Sequence, residues 1–163
     1  MKIFTIAGWS GSGKTLLITR LIERFKARNR RVVAVKHAPN SDSMQPEGKD
    51  SRRFLEAGAD EVLLLTAREL TRIRTLGNEE ERFSLLKSCF RDEDIVLMEG
   101  FHREGIPVIE VVDARINPET RLSVERLAAV ICDPPLALPI PCFSKNEVDR
   151  IADFMEEYDE KHH

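Results

Sequence analysis

Short apolar runs alternate with amphipathic segments along this chain, which predicts strands that alternate with helices. The first run spans residues 2–7, and after it Leu17, Leu21 and Phe25 recur at every fourth position, the spacing of one helical face. The same reasoning predicts strands at 2–7, 31–36, 62–65, 95–98, 108–112 and 127–131, and helices at 14–28, 50–57, 79–90 and 147–157.

This order of elements is typical of an α/β protein. Because the predicted strands are continuously apolar, they suit a parallel sheet that is covered on both faces. We therefore predict a doubly wound, mostly parallel sheet with helices on both faces. Residues 68–75, where Leu70, Arg72 and Arg74 alternate with other residues, are predicted to add an antiparallel edge strand. In such sheets, ligands bind beyond the carboxyl ends of the strands.

Length and composition point to one globular domain. The 163 residues suit a single nucleotide-binding domain over 1–163, and hydrophobic and charged residues make up 42% and 33% of the chain. The net charge of −3 gives no field that favours nucleic acid or an anionic membrane. No apolar run is long enough to span a bilayer, and the first strand begins at residue 2, so we expect no signal peptide and a cytoplasmic protein. The closing His162 and His163 look like a tag remnant and are excluded as site residues.

The strongest chemical signal lies between the first strand and the first helix. Residues 8–15 read G-W-S-G-S-G-K-T, the P-loop pattern. A helix start offers unpaired N–H groups to an anion, and glycines let the backbone approach phosphate oxygens closely. Lys14 can reach the β- and γ-phosphates, and the Thr15 hydroxyl can ligate Mg²⁺. The predicted phosphate-binding residues are Gly8, Ser10, Gly11, Ser12, Gly13, Lys14 and Thr15.

Further candidates follow the other predicted strands. Glu99 directly follows the strand at 95–98, where a carboxylate can hold Mg²⁺ or orient an attacking water; the alternative is a solvated strand end. Lys14 and Glu99 are the candidate catalytic residues, and Thr15, Glu99 and Asp50 are the candidate metal ligands. For Asp50, a helix-start acid is an equal alternative.

Four more residues complete the predicted nucleotide site. Lys36 and His37 end the second strand, and Gly100 follows Glu99. Asp133 stands where a base-binding acid is expected, although a turn-forming Asp before Pro134 is the alternative. Trp9 is predicted to be exposed or half-exposed, and the three cysteines are predicted to be free thiols because they are odd in number and form no C-x-x-C pair.

The motifs, taken in order, resemble those of a known family. Residues 7–15 (A-G-W-S-G-S-G-K-T), 35–37 (V-K-H), 48–51 (G-K-D-S) and 97–102 (L-M-E-G-F-H) are similar to those of the molybdopterin-guanine dinucleotide biosynthesis adaptor protein B family. The resemblance implies a homodimeric GTP-binding protein with weak GTPase activity that assists attachment of GMP to molybdopterin. The transfer itself then belongs to a molybdopterin guanylyltransferase. Residues 38–41 read A-P-N-S and lack the further histidines associated with this stretch.

The resemblance also implies site roles. Residues 11–15 hold the phosphates, while Lys36, His37, Asp50 and Glu99 line the same cleft. Two other functions stay open. A small P-loop kinase would need a closing lid, for which the arginines of 68–74 (Arg68, Arg72 and Arg74) are the candidates. A regulatory module would use the nucleotide only to set the shape of a protein-binding surface.

Overall fold

A computed structural model describes residues 1–38 and 50–159. Their elements are β1 Lys2–Ala7, α1 Lys14–Ala27, β2 Val32–Lys36, α2 Asp50–Glu56, β3 Glu61–Leu65, β4 Leu70–Arg74, α3 Glu79–Lys87, β5 Ile95–Glu99, β6 Val108–Val111, β7 Ala129–Ile131, β8 Cys142–Phe143 and α4 Val148–Glu157, with a short 3₁₀ turn at Val124–Arg126. Of the segments discussed in the sequence analysis, residues 39–41, 48–49 and 162–163 lie outside the described residues.

The described residues form two compact units. The first comprises residues 1–38 and 90–159, and the second comprises residues 50–89. The single domain expected from the length of the chain stays a prediction.

The first unit is built on a six-stranded parallel sheet in the order β2-β5-β1-β6-β7-β8. The predicted doubly wound α/β architecture is therefore confirmed. Because β1 lies between β5 and β6, two neighbouring strands end beside the segment that follows Ala7. The strand β8 was not predicted, since two residues carry too little pattern to distinguish a strand from a loop.

Helices α1 and α4 cover one face of this sheet. Leu21 and Phe25 of α1 and Ile151 of α4 are buried in one cluster with Phe4 and Ile109 of the strands. The opposite face, over β6 and β7, packs against apolar residues of irregular segments such as Leu122 and Leu136. Over β6 and β7 this face is therefore covered by side chains from loops.

The second unit contains α2, α3 and the antiparallel pair β3–β4. The antiparallel strand predicted at 68–75 is present as β4, but it pairs with β3 in a separate two-stranded sheet. Helix α2 ends before Gly58, which has a φ of +101°, as the sequence predicts. Helix α3 begins with the Asn78 side chain accepting a hydrogen bond from the Glu81 N–H at 2.9 Å, and it ends at Lys87, three residues before the predicted end.

Candidate functional site

The glycine-rich segment of residues 8–15, called the glycine loop here, runs from the end of β1 into the first turn of α1 and leaves the helix start open. Gly13 precedes Lys14 with a φ of +100°, and no side chain caps the helix. A Cβ on Gly13 would find no atom within 4 Å, so there is free space beside the first N–H groups of α1. Uncapped N–H groups next to open space form an anion site by the electrostatics of a helix start.

Gly8 fixes the other end of the loop against the sheet. Its φ is +135°, and a Cβ there would lie 2.3 Å from the carbonyl oxygen of Val111 and 2.8 Å from Ser12 Oγ. Ser12 Oγ itself is buried and has no hydrogen-bond partner among the described residues. Glycine is therefore required at position 8, since any side chain would push the loop away from β6.

Lys14 bridges the loop from within. Its ammonium group donates hydrogen bonds to the carbonyl oxygens of Gly8, at 3.0 Å, and Trp9, at 2.7 Å. Burial lowers the pKa of Lys14, and the positive charges of Arg121 and Lys36 lower it further, whereas the negative charge of Glu99 opposes this shift. An ammonium group held by two neutral carbonyls in a cationic neighbourhood is well placed to take anionic oxygens as partners.

Thr15 and Glu99 meet at the carboxyl edge of the sheet. The Thr15 hydroxyl donates to Glu99 Oε2 at 3.0 Å, and Lys36 Nζ lies 3.3 Å from Glu99 Oε1. The sheet register explains the meeting, because Glu99 pairs with Ile6 of β1 on one side and with Lys36 of β2 on the other. The structure thus brings together predicted residues that are more than eighty positions apart in sequence.

His37 and Gly100 lie at the same edge. The N–H of His37 donates to the carbonyl oxygen of Glu99 at 3.0 Å, and its ring nitrogen Nδ1 lies 3.2 Å from the carbonyl oxygen of Gly100. Phe101 packs edge-on against the His37 ring, with the centroids 5.4 Å apart. Gly100 has a φ of +75°, which allows the chain to turn at once after β5.

Asp133 lies at this edge beyond β7, two strands from β1. Its Oδ1 accepts hydrogen bonds from the Ser144 hydroxyl and, at 3.1 Å, from the Lys145 N–H. Its Oδ2 accepts none within residues 1–38 and 50–159. The carboxylate of Asp133 is therefore oriented through one oxygen by the residues that follow β8, and its other oxygen is left for a further donor.

Asp113 is an acid of this edge that the sequence analysis missed. Its carboxylate is 6% exposed and accepts hydrogen bonds from Arg115 Nε at 2.9 Å, Arg115 Nη2 at 2.7 Å and Lys145 Nζ at 3.1 Å. These bonds, those of Arg115 first, hold the pKa of Asp113 well below its usual range. The signal that selected Glu99, an acid directly after an apolar strand, would also have selected Asp113.

Glu110 and Arg121 were also missed. Glu110 points from β6 into the protein and is fully buried. Its carboxylate accepts hydrogen bonds from the backbone N–H groups of Arg121, at 2.6 Å, and Leu122, at 3.1 Å. The Arg121 guanidinium lies 5.3 Å from the ring centroid of Trp9, which is 40% exposed as predicted. An acid inside an apolar strand is a detectable signal, but the stacked arginine is visible only in three dimensions.

Asp50 is described in the second unit. It begins α2, and its carboxylate lies 3.9 Å from an Arg53 guanidinium nitrogen. Asp50 is thus an acid at a helix start, which the sequence analysis gave as the alternative to a metal ligand. Its role as a metal ligand stays a prediction. Two arginines of the candidate kinase lid are already paired, Arg72 with Glu61 and Arg74 with Glu81 at 2.9 Å.

The parallel sheet, its strand order and the glycine loop between β1 and α1 define an α/β protein with a P-loop NTPase-like fold. None of the helices in the described ranges is both long and apolar enough to cross a bilayer. Nor do residues 1–38 and 50–159 contain a cluster of three or more His, Cys, Asp or Glu side chains suited to a metal ion. The three cysteines are free thiols, as predicted.

Comparison with known proteins identifies the family. The family model of molybdopterin guanine dinucleotide synthesis protein B matches residues 3–133. The chain is 34% identical to the molybdopterin-guanine dinucleotide biosynthesis adapter protein of Haemophilus influenzae, over 97% of this chain and 89% of that protein. It is 30% identical to the Escherichia coli protein of that name, over 99% and 95% of the two chains. The chain therefore belongs to this family.

A solved structure supports the assignment. The crystal structure of molybdopterin-guanine biosynthesis protein B superposes with a TM-score of 0.69 at 30% identity, covering 94% of this chain and 97% of that one. The resemblance identified from the sequence motifs is thus confirmed.

Proposed function

We propose that this protein is a GTP-binding adapter in molybdopterin-guanine dinucleotide biosynthesis. The observation that carries the proposal is the uncapped start of α1, which opens beside Gly13 with Lys14 and Thr15 in its first turn. The names of the relatives supply the pathway. In this role the protein works as a homodimer beside a molybdopterin guanylyltransferase, which carries out the nucleotidyl transfer.

The phosphates bind at the glycine loop. The first N–H groups of α1 donate to phosphate oxygens, and the helix dipole adds a partial positive charge at the same point. Lys14 exchanges the carbonyl oxygens of Gly8 and Trp9, its present partners, for the more negative oxygens of the β- and γ-phosphates. Charge-assisted bonds are the stronger ones, so the exchange favours the bound state.

Thr15 and Glu99 are the residues that would hold Mg²⁺. Both supply hard oxygen donors, and the two oxygens are 3.0 Å apart, close enough to contact one small cation. In nucleotide sites Mg²⁺ takes one or two protein ligands together with phosphate oxygens and water, and it neutralises charge on the phosphates. Lys36, paired with the other oxygen of Glu99, keeps that side chain pointed at the loop.

In this proposal Asp133 recognises the guanine base. Two steps of about 4.8 Å between strands separate β1 from β7, so about 10 Å separates the loop from the end of β7. A ribose and an α-phosphate can span that length. Guanine presents two N–H donors side by side, its ring N1–H and its 2-amino group, and Oδ2 of Asp133, the oxygen not engaged by Ser144 and Lys145, can accept from both. Adenine offers no such pair.

The test replaces Asp133 with Asn. An Asn keeps one acceptor but loses the charge-assisted bond to the 2-amino group, worth about 1.5–3 kcal/mol, so GTP affinity should fall about 10- to 150-fold. Xanthosine triphosphate carries a carbonyl in place of that amino group. The Asn amide can donate to it, so this nucleotide should bind Asp133→Asn more tightly than it binds the wild type.

Calorimetry with GTP, ATP and xanthosine triphosphate in the presence of Mg²⁺ measures both effects. The matched control is Asp92→Asn, which removes the same charge from an exposed acid before β5, at the opposite edge of the sheet. Its affinities should equal those of the wild type. Equal affinity of the wild type for GTP and ATP would overturn the guanine assignment, and an unaltered Asp133→Asn variant would exclude Asp133 as the base-reading residue.

We propose that GTP hydrolysis by this protein is slow. Fast phosphoryl transfer needs a residue that positions the attacking water. Glu99 is the candidate that orients the water, but it is already engaged with Thr15 and Lys36. A slow reaction suits an adapter, since the bound triphosphate then persists long enough to be recognised by a partner protein.

A further inference from the structure

Arg121 places a positive charge directly on the glycine loop. Its guanidinium carbon lies 5.3 Å from the centroid of the Trp9 ring, and Trp9 is the second residue of the loop. The face of an indole attracts a cation, so this stacking holds the guanidinium beside the loop without neutralising it. The arginine therefore lies next to the predicted phosphate site although 112 positions separate it from Trp9 in sequence.

A buried acid fixes the backbone of Arg121. Glu110 lies on β6 in register with Ala7, the last residue of β1, and it is fully buried. Its two carboxylate oxygens each accept a hydrogen bond from a backbone N–H, one from Arg121 at 2.6 Å and the other from Leu122 at 3.1 Å. Because a buried carboxylate is costly unless it is fully hydrogen-bonded, this arrangement ties Arg121 to the strand beside the loop.

Arg121 forms no ion pair within the described part of the chain. No carboxylate in residues 1–38 and 50–159 lies within ion-pair distance of its guanidinium, whereas Arg115 is paired with Asp113 and Arg28 with Glu156. Its field nevertheless reaches the loop, because Arg121 is one of the charges that lower the pKa of Lys14. A guanidinium that is positioned but unpaired is suited to bind phosphate, since its fork of N–H donors matches phosphate oxygens.

We propose that Arg121 binds the terminal phosphate of the nucleoside triphosphate held by residues 8–15. This inference rests on the proposed function, since it needs a nucleotide in the loop. Lys14 reaches the β- and γ-phosphates from within the loop, and Arg121 approaches from the Trp9 side. The added contact exists only for the triphosphate, so Arg121 makes the site distinguish GTP from GDP.

The experiment compares binding of a non-hydrolysable GTP analogue and of GDP to the wild type, Arg121→Ala and Arg121→Lys. For Arg121→Ala, affinity for the analogue should fall at least about tenfold, while affinity for GDP changes less than about threefold. Arg121→Lys should recover part of the loss, because it restores the charge without the fork. The matched control is Arg126→Ala, which removes an exposed arginine from the same segment and should leave both affinities within about threefold.

Trp9 supplies a second readout, since it is the only tryptophan of the chain. Its emission should change when the analogue draws the guanidinium away from the indole, and this change should be largely lost in Arg121→Ala. Equal losses for the analogue and GDP, or no loss for either, would overturn the role of Arg121 while leaving the proposed function intact. A wild type that binds neither ligand would overturn both.

Discussion

Replacement of Lys14 by Ala tests the central contact of the proposed site. In the free protein the ammonium group is hydrogen-bonded to two neutral carbonyls of its own loop, at 3.0 and 2.7 Å. Binding of a nucleotide replaces these partners with phosphate oxygens. Since the neutral bonds are given up, we count the gain as one charge-assisted bond, about 1.5–3 kcal/mol. Lys14→Ala should therefore weaken GTP binding about 10- to 150-fold.

The assay is isothermal titration calorimetry with GTP and Mg²⁺, and Lys26→Ala is the matched control. Lys26 is an exposed residue in the last turn of the same helix, so the variant makes the same change in net charge. Twelve residues of helix place it about 18 Å from Lys14, beyond the Debye length of about 8 Å at physiological salt. Lys26→Ala should bind GTP like the wild type.

Two results would refute the reasoning. If both variants weaken binding equally, Lys14 contributes only through the net charge of the protein. If Lys14→Ala binds GTP like the wild type, the ammonium group does not contact the phosphates. Thermal unfolding of both variants, monitored by circular dichroism, checks that Lys14→Ala is still folded without the two hydrogen bonds that Lys14 makes in the loop.

Two further predictions concern stability. Gly8→Ala should destabilise the protein by about 2–6 kcal/mol, the sum of backbone strain and overlap with the Val111 carbonyl. Gly105→Ala, at a position with positive φ but open space, should show only the backbone strain of about 1–3 kcal/mol. If urea unfolding shows equal losses of unfolding free energy for the two variants, the overlap does not contribute. Because the folded-state pKa of Asp113 is depressed, its ion pairs contribute stability above the unfolded pKa near 3.8, and this contribution is lost as the pH falls towards the folded pKa. The stability difference between wild type and Asp113→Asn should therefore be constant above about pH 5 and shrink progressively as the pH falls below about 4, and a difference that stays constant at low pH would show that the ionised carboxylate is not what stabilises this position.

Much of the fold was predictable because its signals are local. The apolar run before Gly8 and the four-residue spacing of Leu17, Leu21 and Phe25 predict β1 and α1, and both elements are present. Failures arose where the local signal was weak. The strand β8 has two residues, and β4 carries an alternating pattern that suits either an edge strand or a separate hairpin. Only the pairing partner decides between these, and pairing is not local.

The candidate site divides in the same way. Gly8, Lys14 and Thr15 are recognised by spacing, and Glu99 and Asp133 by their places after apolar strands. Such rules place residues at one edge of a sheet without saying which of them touch. The contact of Thr15 with Glu99 depends on β5 lying beside β1, an order that the chain sequence does not state.

By itself, the sequence determined the class of fold, the loop that can face a polyanion and the family of the chain, because spacing and residue type suffice for these. The tertiary structure decided which charges meet. It placed Glu99 within hydrogen-bonding distance of Thr15 and one oxygen of Asp133 within hydrogen-bonding distance of Ser144. It also placed the Arg121 guanidinium over the Trp9 ring. The physical reason is that electrostatic and hydrogen-bonding partners are chosen by strand order and distance in space, and neither quantity is encoded in the periodicity of a single segment.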